Sequence, residues 1–495
     1  MRSPETPAPA PAHSLRGVRR ALLAGVGAVY TLAFLSLAVQ LCGLVGERGI
    51  LPNAAWFRAL AARGDVGFVD VPSMCWGDGC SDAALLALAW VGAAAGVLLA
   101  TGVLPWLAAF VCFAAYLSLL GAGQLFLGYQ WDGLLLETGF LTLLLAPPLA
   151  LGPRSAAWRS EPSRVAIWLF RWLLFRLVWS SGVVKLASGD ATWWNLTALS
   201  FHYETQPLPF WTSWWMHQLP LGMQRAMTFG SLAGELLLPL GYWWPRRLRH
   251  FAAAGTVALM LGIAATGNYG FFNLLTIVLC LSLLDDDALL PRPWRAPAGP
   301  PAPRGQAGTV LAVGLLLALL SVPPLVLAFD RGSPWRDPLI GAYRLQRGFH
   351  LVGSYGLFAV MTTERPELAV EGTRDGETWH AYVFGWKPGD PQRPPRFAGP
   401  HMPRLDWQLW FAALEGAERV RWLRYFAARL LEPSPEVLAL LEHDPFAGEA
   451  PRAVRVRVDD YRFTDIATRR ATGAWWQVVP GRIAFELHRG EIAPR

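Results

Sequence analysis

Five stretches of this chain carry no charged side chain, and each is long enough to cross ~30 Å of hydrocarbon. They are roughly 21–46, 83–103, 107–128, 251–284 and 307–329. Open sheet or irregular backbone would leave peptide groups without partners in lipid, so these stretches are read as helices. The run 251–284 is too long for one crossing and divides at Gly267-Asn268-Tyr269-Gly270. Three further segments, 131–151, 165–186 and 222–244, are apolar but carry ionisable residues. Charged residues make up 16% of the chain, against roughly 25% in an ordinary soluble protein, and mean hydropathy is +0.31. A wholly soluble fold, a disordered chain and a small disulfide scaffold are all excluded.

The expected fold class is a polytopic α-helical membrane protein with a C-terminal extracytoplasmic α+β domain. A disordered cytoplasmic tail, 1–20, precedes a transmembrane domain, 21–329, of about nine spans: 21–46, 83–103, 107–128, 131–151, 165–186, 222–244, 251–267, 269–285 and 307–329. The exterior domain is 330–495. Orientation follows from arginine placement. Loops 152–164, 245–250 and 285–306 each hold three Arg, whereas loop 187–221 has neither Lys nor Arg. The N-terminus is therefore expected inside and the C-terminal region outside. Loop 47–82 runs against this count with three Arg, but it also holds five acidic residues. The formal charge of +7 is spent on this topology rather than on nucleic acid, which is not expected as a partner. Basic side chains are almost all Arg, with Lys only at 185 and 387, read as the composition bias of a GC-rich bacterium.

Cys75 and Cys80 lie in loop 47–82. On an oxidising face a disulfide is their expected fate, and two ligands alone make no metal site, so no metal is expected. Cys42, Cys112 and Cys280 fall within spans and read as packing residues. Beyond 330, Arg374-Asp375-Gly376 is a hairpin turn leading into the β-prone run 379–386. Helices are expected near 404–414 and 417–431, with a third opening at Ser434 and Pro435. Residues 454–463 alternate as a half-buried strand. No phosphate loop, nucleophile elbow or HExxH pattern is present, and no cofactor is expected.

Ionisable residues within spans are costly, ~2.5–3.5 kcal/mol on insertion scales, so each suggests a site. Arg176 lies about 16 Å from the cytoplasmic start of its span and Glu235 about 14 Å from the cytoplasmic end of its own. The matched depths predict a buried Arg176–Glu235 pair. Arg171 is placed to snorkel toward phosphate, and Lys185, on the same face, to reach Glu137. Asp132 reads as a helix N-cap. The outer loop 187–221 carries Asp190, His202, Glu204, His217 and five Trp, an interfacial composition. If the chain is an enzyme, Lys185, Glu137, His202 and Glu204 are the catalytic candidates and should converge on one lateral cavity. Asn268 and Asn273 complete the polar residues placed in or at the membrane.

Several runs resemble the lipase maturation factor family. They include Gln130-Trp131-Asp132-Gly133-Leu134-Leu135-Leu136-Glu137-Thr138-Gly139-Phe140 and Arg171-Trp172-Leu173-Leu174-Phe175-Arg176. His202-Tyr203-Glu204-Thr205-Gln206-Pro207-Leu208-Pro209 and Thr266-Gly267-Asn268-Tyr269-Gly270-Phe271-Phe272-Asn273 match as well. So do Tyr355-Gly356-Leu357-Phe358, Lys387-Pro388-Gly389-Asp390, Pro400-His401 and Arg404-Leu405-Asp406-Trp407-Gln408. The resemblance implies a membrane protein that helps secreted lipases fold and assemble on the lumenal side of the endoplasmic reticulum, as in animal members, or on the periplasmic side of a bacterial inner membrane. The expected partners are membrane lipid and a secreted, lipase-like client, with His401, Arg404, Asp406 and Trp407 as candidates to face that client. The family brings no established catalytic residues, so the chain is expected not to be an enzyme. Lys185, Leu186, Asp190 and Trp193 or Trp194 also look like a helix end in vitamin K-dependent carboxylase and its relatives. That likeness implies the alternative function, a membrane enzyme acting on a lipid, quinone or peptide with Lys185 as base. A transporter would want inverted repeats, and none is found.

Overall fold

The computed structural model describes residues 14–295, 299–302, 304–329 and 336–491. The first helix, α1 (Arg16–Ala38), starts inside the segment expected as a tail: Glu161 accepts from the Ser14 hydroxyl (3.0 Å) and the Leu15 N–H (2.9 Å), and Asp286 accepts from the N–H groups of Gly17 and Val18. Residues 1–13 lie outside the described chain. α1 also ends early, and a separate α2 (Leu41–Val45) and α3 (Asn53–Arg63) follow. The long apolar hairpin is α4 (Asp82–Thr101) and α5 (Pro105–Gly123), turned at Gly102, whose φ of +77° suits glycine. Then come α6 (Gln130–Leu145) and α7 (Arg164–Ala187).

Three short helices occupy the Trp-rich outer loop: α8 (Ala191–Trp194), α9 (Ala198–Thr205) and α10 (Trp211–His217). α11 (Leu221–Leu237) passes through a 3-10 turn to α12 (Arg246–Ala264), and the chain leaves helix before α13 (Phe272–Cys280). A short α14 (Asp286–Leu289) precedes α15 (Arg304–Leu320) and α16 (Val322–Phe329), which replace one continuous helix over 307–329. Among the described residues, five helical segments are long and apolar enough to cross a membrane by length and composition: Arg16–Ala38, Asp82–Thr101, Pro105–Phe126, Arg164–Ala187 and Gly305–Ala328, the last being α15 and α16 taken together.

After α17 (Arg336–Arg347) the chain forms a four-stranded antiparallel sheet in the order β2-β1-β3-β4. The strands are β1 (Pro366–Thr373), β2 (His380–Ala381), β3 (Ala453–Phe463) and β4 (Trp476–His488). The hairpin over 370–386 is present, but its second strand shrinks to two residues. The Tyr382 N–H still donates to the Val370 carbonyl at 2.9 Å, but the Val383 N–H turns to the His443 carbonyl at 3.0 Å, and those of Trp386 and Lys387 go to the Asp406 carboxylate, both at 2.9 Å. α18 (Arg404–Glu415) lies between the sheet and the helical bundle and is buried along almost its whole length. α19 (Arg421–Leu431) packs on β3 and β4, and α20 (Pro435–Leu438) sits on α2, with α21 (Ile466–Thr472) between the last two strands. Ser434 stands at the N-cap position of α20 as expected but makes no side-chain cap bond, because its hydroxyl donates to the Arg48 carbonyl at 2.8 Å. Cys75 and Cys80 form a disulfide, and Asn53 pins that loop through the backbone of Cys80 on both sides of its amide.

Candidate functional site

The bundle and the C-terminal region meet along a seam of buried charged groups. Asp132 sits in the first turn of α6, fully buried. Its carboxylate accepts the Arg404 guanidinium through two bonds of 2.6 and 2.7 Å, the Tyr116 hydroxyl at 2.6 Å, and the N–H groups of Gly128 and Tyr129. This bidentate fork is the geometry for which Arg is suited. The N-cap expected of Asp132 is corrected: Tyr129 holds the cap position, and Asp132 spends its remaining lone pairs on an ion pair across the seam. His401, Arg404, Asp406 and Trp407, expected to face a client, are corrected in the same way. His401 Nδ1 lies 3.0 Å from the Ser36 hydroxyl of α1, and Trp407 is wedged against Trp131 with ring centroids 4.8 Å apart. His401, Arg404 and Trp407 serve the junction between the halves, while Asp406 holds the backbone N–H groups of Trp386 and Lys387 within the C-terminal region, and the linear sequence displays neither role.

One and a half turns below Asp132, Glu137 accepts from Arg176 and, at 2.7 Å each, from the Gly353 N–H and the Tyr355 hydroxyl. Arg176 also donates to the Gly353 carbonyl at 3.1 Å. Lys185 pairs instead with both oxygens of Glu235, at 2.5 and 2.6 Å. The expected Arg176–Glu235 pair and the expected Lys185–Glu137 contact are therefore exchanged. Nine residues separate Arg176 from Lys185, or ~900° of helical rotation, which places them on opposite faces of α7. One face meets α6 and the other meets α11, and a count of depth alone omits that azimuth. Arg171 does not snorkel either, since its guanidinium donates to the Ser282 carbonyl at 2.7 Å.

Beyond the membrane half, Arg365 is buried and donates to the carbonyls of Glu204 (2.6 Å), Gln206 and Pro207 and to the Glu367 carboxylate at 2.6 Å. Lys387 lies 3.2 Å from the other Glu367 oxygen. Asn268 clamps the outer loop to the same region. Its amide nitrogen donates to the carbonyls of Leu208 and Arg396, and its oxygen accepts from the Ala398 N–H at 2.7 Å. Asp190 caps α8 through the Thr192 N–H and accepts from the Met361 N–H at 2.6 Å. Sequence reasoning missed Arg365, Glu367 and Tyr355. The available signal was Glu367, a charge at a buried position of β1.

A cavity of about 360 Å³ lies between α7, α11, α12 and α13, within the ~300–1,000 Å³ range of small-molecule sites. Its polar lining includes Lys185, Glu235, His202, Tyr269 and Asn273 beside the hydroxyl residues Ser181, Ser231, Thr266 and Thr276, and Trp193 and Phe358 are among its aromatic walls. Of the four residues expected to converge, Lys185 and His202 do. Glu137 is held in the seam, and Glu204 accepts the Phe463 N–H at 3.0 Å and lies 3.8 Å from His217. Lys185 is no free base: its ammonium faces both Glu235 oxygens and lies 4.9 Å from the centre of the Trp193 ring. Burial pushes the His202 imidazole down to about 3, so it is neutral at physiological pH, and burial also lowers that of His217. Among the described residues no group of three His, Cys, Asp or Glu side chains is placed to hold a metal ion.

An apolar helical bundle carrying a docked α+β region, with ion pairs buried where they join, defines a polytopic integral membrane protein. Residues 17–291 match the family model of the lipase maturation factor transmembrane domain, and residues 351–481 match that of the lipase maturation factor C-terminal domain. The chain belongs to the lipase maturation factor family. It is 35% identical to lipase maturation factor 2 of Gallus gallus, over 93% of this chain and 80% of that protein. It is 32% identical to lipase maturation factor 1 of Homo sapiens, over 95% of this chain and 88% of that protein. No solved structure matches it. The comparisons favour the maturation-factor reading over the carboxylase-like alternative.

Proposed function

We propose that this chain assists the maturation of a secreted, lipase-like client, with its C-terminal region on the extracytoplasmic side of the bilayer. The observation that carries the reading is the pair of family matches, one on each half of a continuous chain. The buried seam supports it, because the two halves act as one body only when joined. The Cys75–Cys80 disulfide and the arginine-poor outer loop fit an oxidising outer face. The surface offered to the client is the edge strand β4, where Val479 and Ile483 are 55% and 49% exposed. Open strand edges recruit extended segments.

The test is deletion of the gene, followed by measurement of secreted lipase activity per unit of secreted lipase protein. Specific activity is expected to fall and to return with the wild-type chain, but not with Val479→Lys/Ile483→Lys, provided that this variant accumulates normally. Unchanged specific activity of every secreted lipase on deletion sinks the proposal.

A further inference from the structure

The cavity between α7, α11, α12 and α13 contains two buried acceptors that no described residue satisfies, His202 Nδ1 and Asn273 Oδ1. The tautomer of His202 follows from its neighbours. The Gln206 amide nitrogen donates to the carbonyls of Thr266 (2.8 Å) and Tyr203 (3.3 Å), which leaves Gln206 Oε1 facing the Tyr269 hydroxyl at 2.9 Å. That hydroxyl donates to Gln206, so its oxygen receives the Nε2–H of His202 at 3.0 Å. His202 Nδ1 is then a bare acceptor. An unmet buried acceptor forfeits the hydrogen bond it made with water, so a donor from outside the protein is required.

The remaining walls say what carries that donor. They are mostly apolar, and Met216, Met227 and Met260 supply adaptable surface. Lys185 and Glu235 neutralise one another, which leaves no charge to balance an anionic headgroup. Ala258 and Gly262 of α12 are exposed at the rim, so the opening lies on an apolar helix, where lipid is the solvent. We propose that this cavity binds a neutral acylglycerol with free hydroxyl groups, its chain along the apolar walls and its hydroxyls donating to His202 and Asn273. This site does not depend on the client reading above.

The experiment uses the full chain in phosphatidylcholine nanodiscs with a photoreactive monoacylglycerol, followed by peptide mapping. Label is expected on peptides of α11 and α12. Unlabelled monoacylglycerol should displace it, while phosphatidylglycerol and a monoacylglycerol with both hydroxyls methylated should not. Gly262→Trp narrows the mouth at a position where an added Cβ meets nothing within 4 Å. Asn273→Leu removes one acceptor and should weaken labelling about ten-fold, the worth of one hydrogen bond, and Gly262→Trp should weaken it by obstructing entry. Equal displacement by the methylated or anionic lipid overturns the proposal, as does label spread evenly over all spans. These wild-type arms decide the matter even if both variants fail to fold. Undiminished labelling of folded variants also overturns it.

Discussion

Arg404 shows what a single side chain can do in this molecule. It brings a charge into a fully buried position, and Asp132, from 272 positions away in the chain, balances it. Removing one partner leaves the other charge buried and unpaired, at a cost of about 3–5 kcal/mol. Arg404→Met should lower the thermal midpoint of the purified chain sharply. The double variant Asp132→Leu/Arg404→Met should recover part of the loss, because no charge is then left behind. A double variant that melts no higher than Arg404→Met would show that the pair is not the source of the coupling. His401 gives a pH-dependent counterpart. Burial, with the nearby Arg404 guanidinium, pushes its imidazole down to about 4, against about 6.5 unfolded. The unfolded state therefore binds a proton that the folded state refuses between those values. Stability is expected to be full above pH 6.5 and to fall as pH drops toward 4, by at most ~1.4 kcal/mol per unit. Melts of the wild type and of His401→Asn between pH 7.5 and 5 check this, and the variant should show a shallower decline.

Helices were legible from the sequence as apolar runs because burial in lipid and burial in a core ask for the same residues. Their rotations were not, and the exchanged partners of Arg176 and Lys185 are the result. Strand β4 was missed for a local reason. Pro480-Gly481 interrupts it, yet the chain carries on through an irregular register opposite Val458–Asp460, and the Gly481 N–H donates to Asp459 at 2.9 Å. A Cβ at Gly481 would lie 2.0 Å from the Val458 carbonyl oxygen, so only glycine fits there. The same close approach sets the fit of the segment 351–358 against the bundle. Gly356 has φ +155°, donates to Gln130 at 3.0 Å, and would put a Cβ 2.5 Å from a methyl of Val184 on α7. Val184 is β-branched and has little rotamer freedom in a helix. Gly356→Ala should therefore cost roughly 1–3 kcal/mol, read as a lowered midpoint. Val184→Ala in the same chain should relieve part of that loss. A variant as stable as the wild type would mean that this segment yields readily.

At the scale of the whole molecule, the composition break near 330 marks an exterior α+β domain. The structure gives that region a second role as the cover of the bundle's polar end. Met402, Leu405, Trp407 and Leu409 are buried, and α18 meets the bundle through Arg404 on Asp132 and Gln408 on the Leu125 carbonyl. Gln40 of the chain just beyond α1 completes the contact, accepting from the Arg404 N–H and donating to the Met402 carbonyl, both at 2.9 Å. Cut free, residues 351–491 would expose that apolar face together with an unpaired guanidinium. Burying apolar area is worth ~25 cal/mol per Å², and here much of the area is supplied by the other half. The isolated piece is expected to lack a cooperative melt and to be digested at protease concentrations that leave the full chain intact. A single sharp transition from the isolated piece would show that the sheet with α18 and α19 suffices as a domain. The ion pairs at the seam would then orient the two halves without holding either one folded.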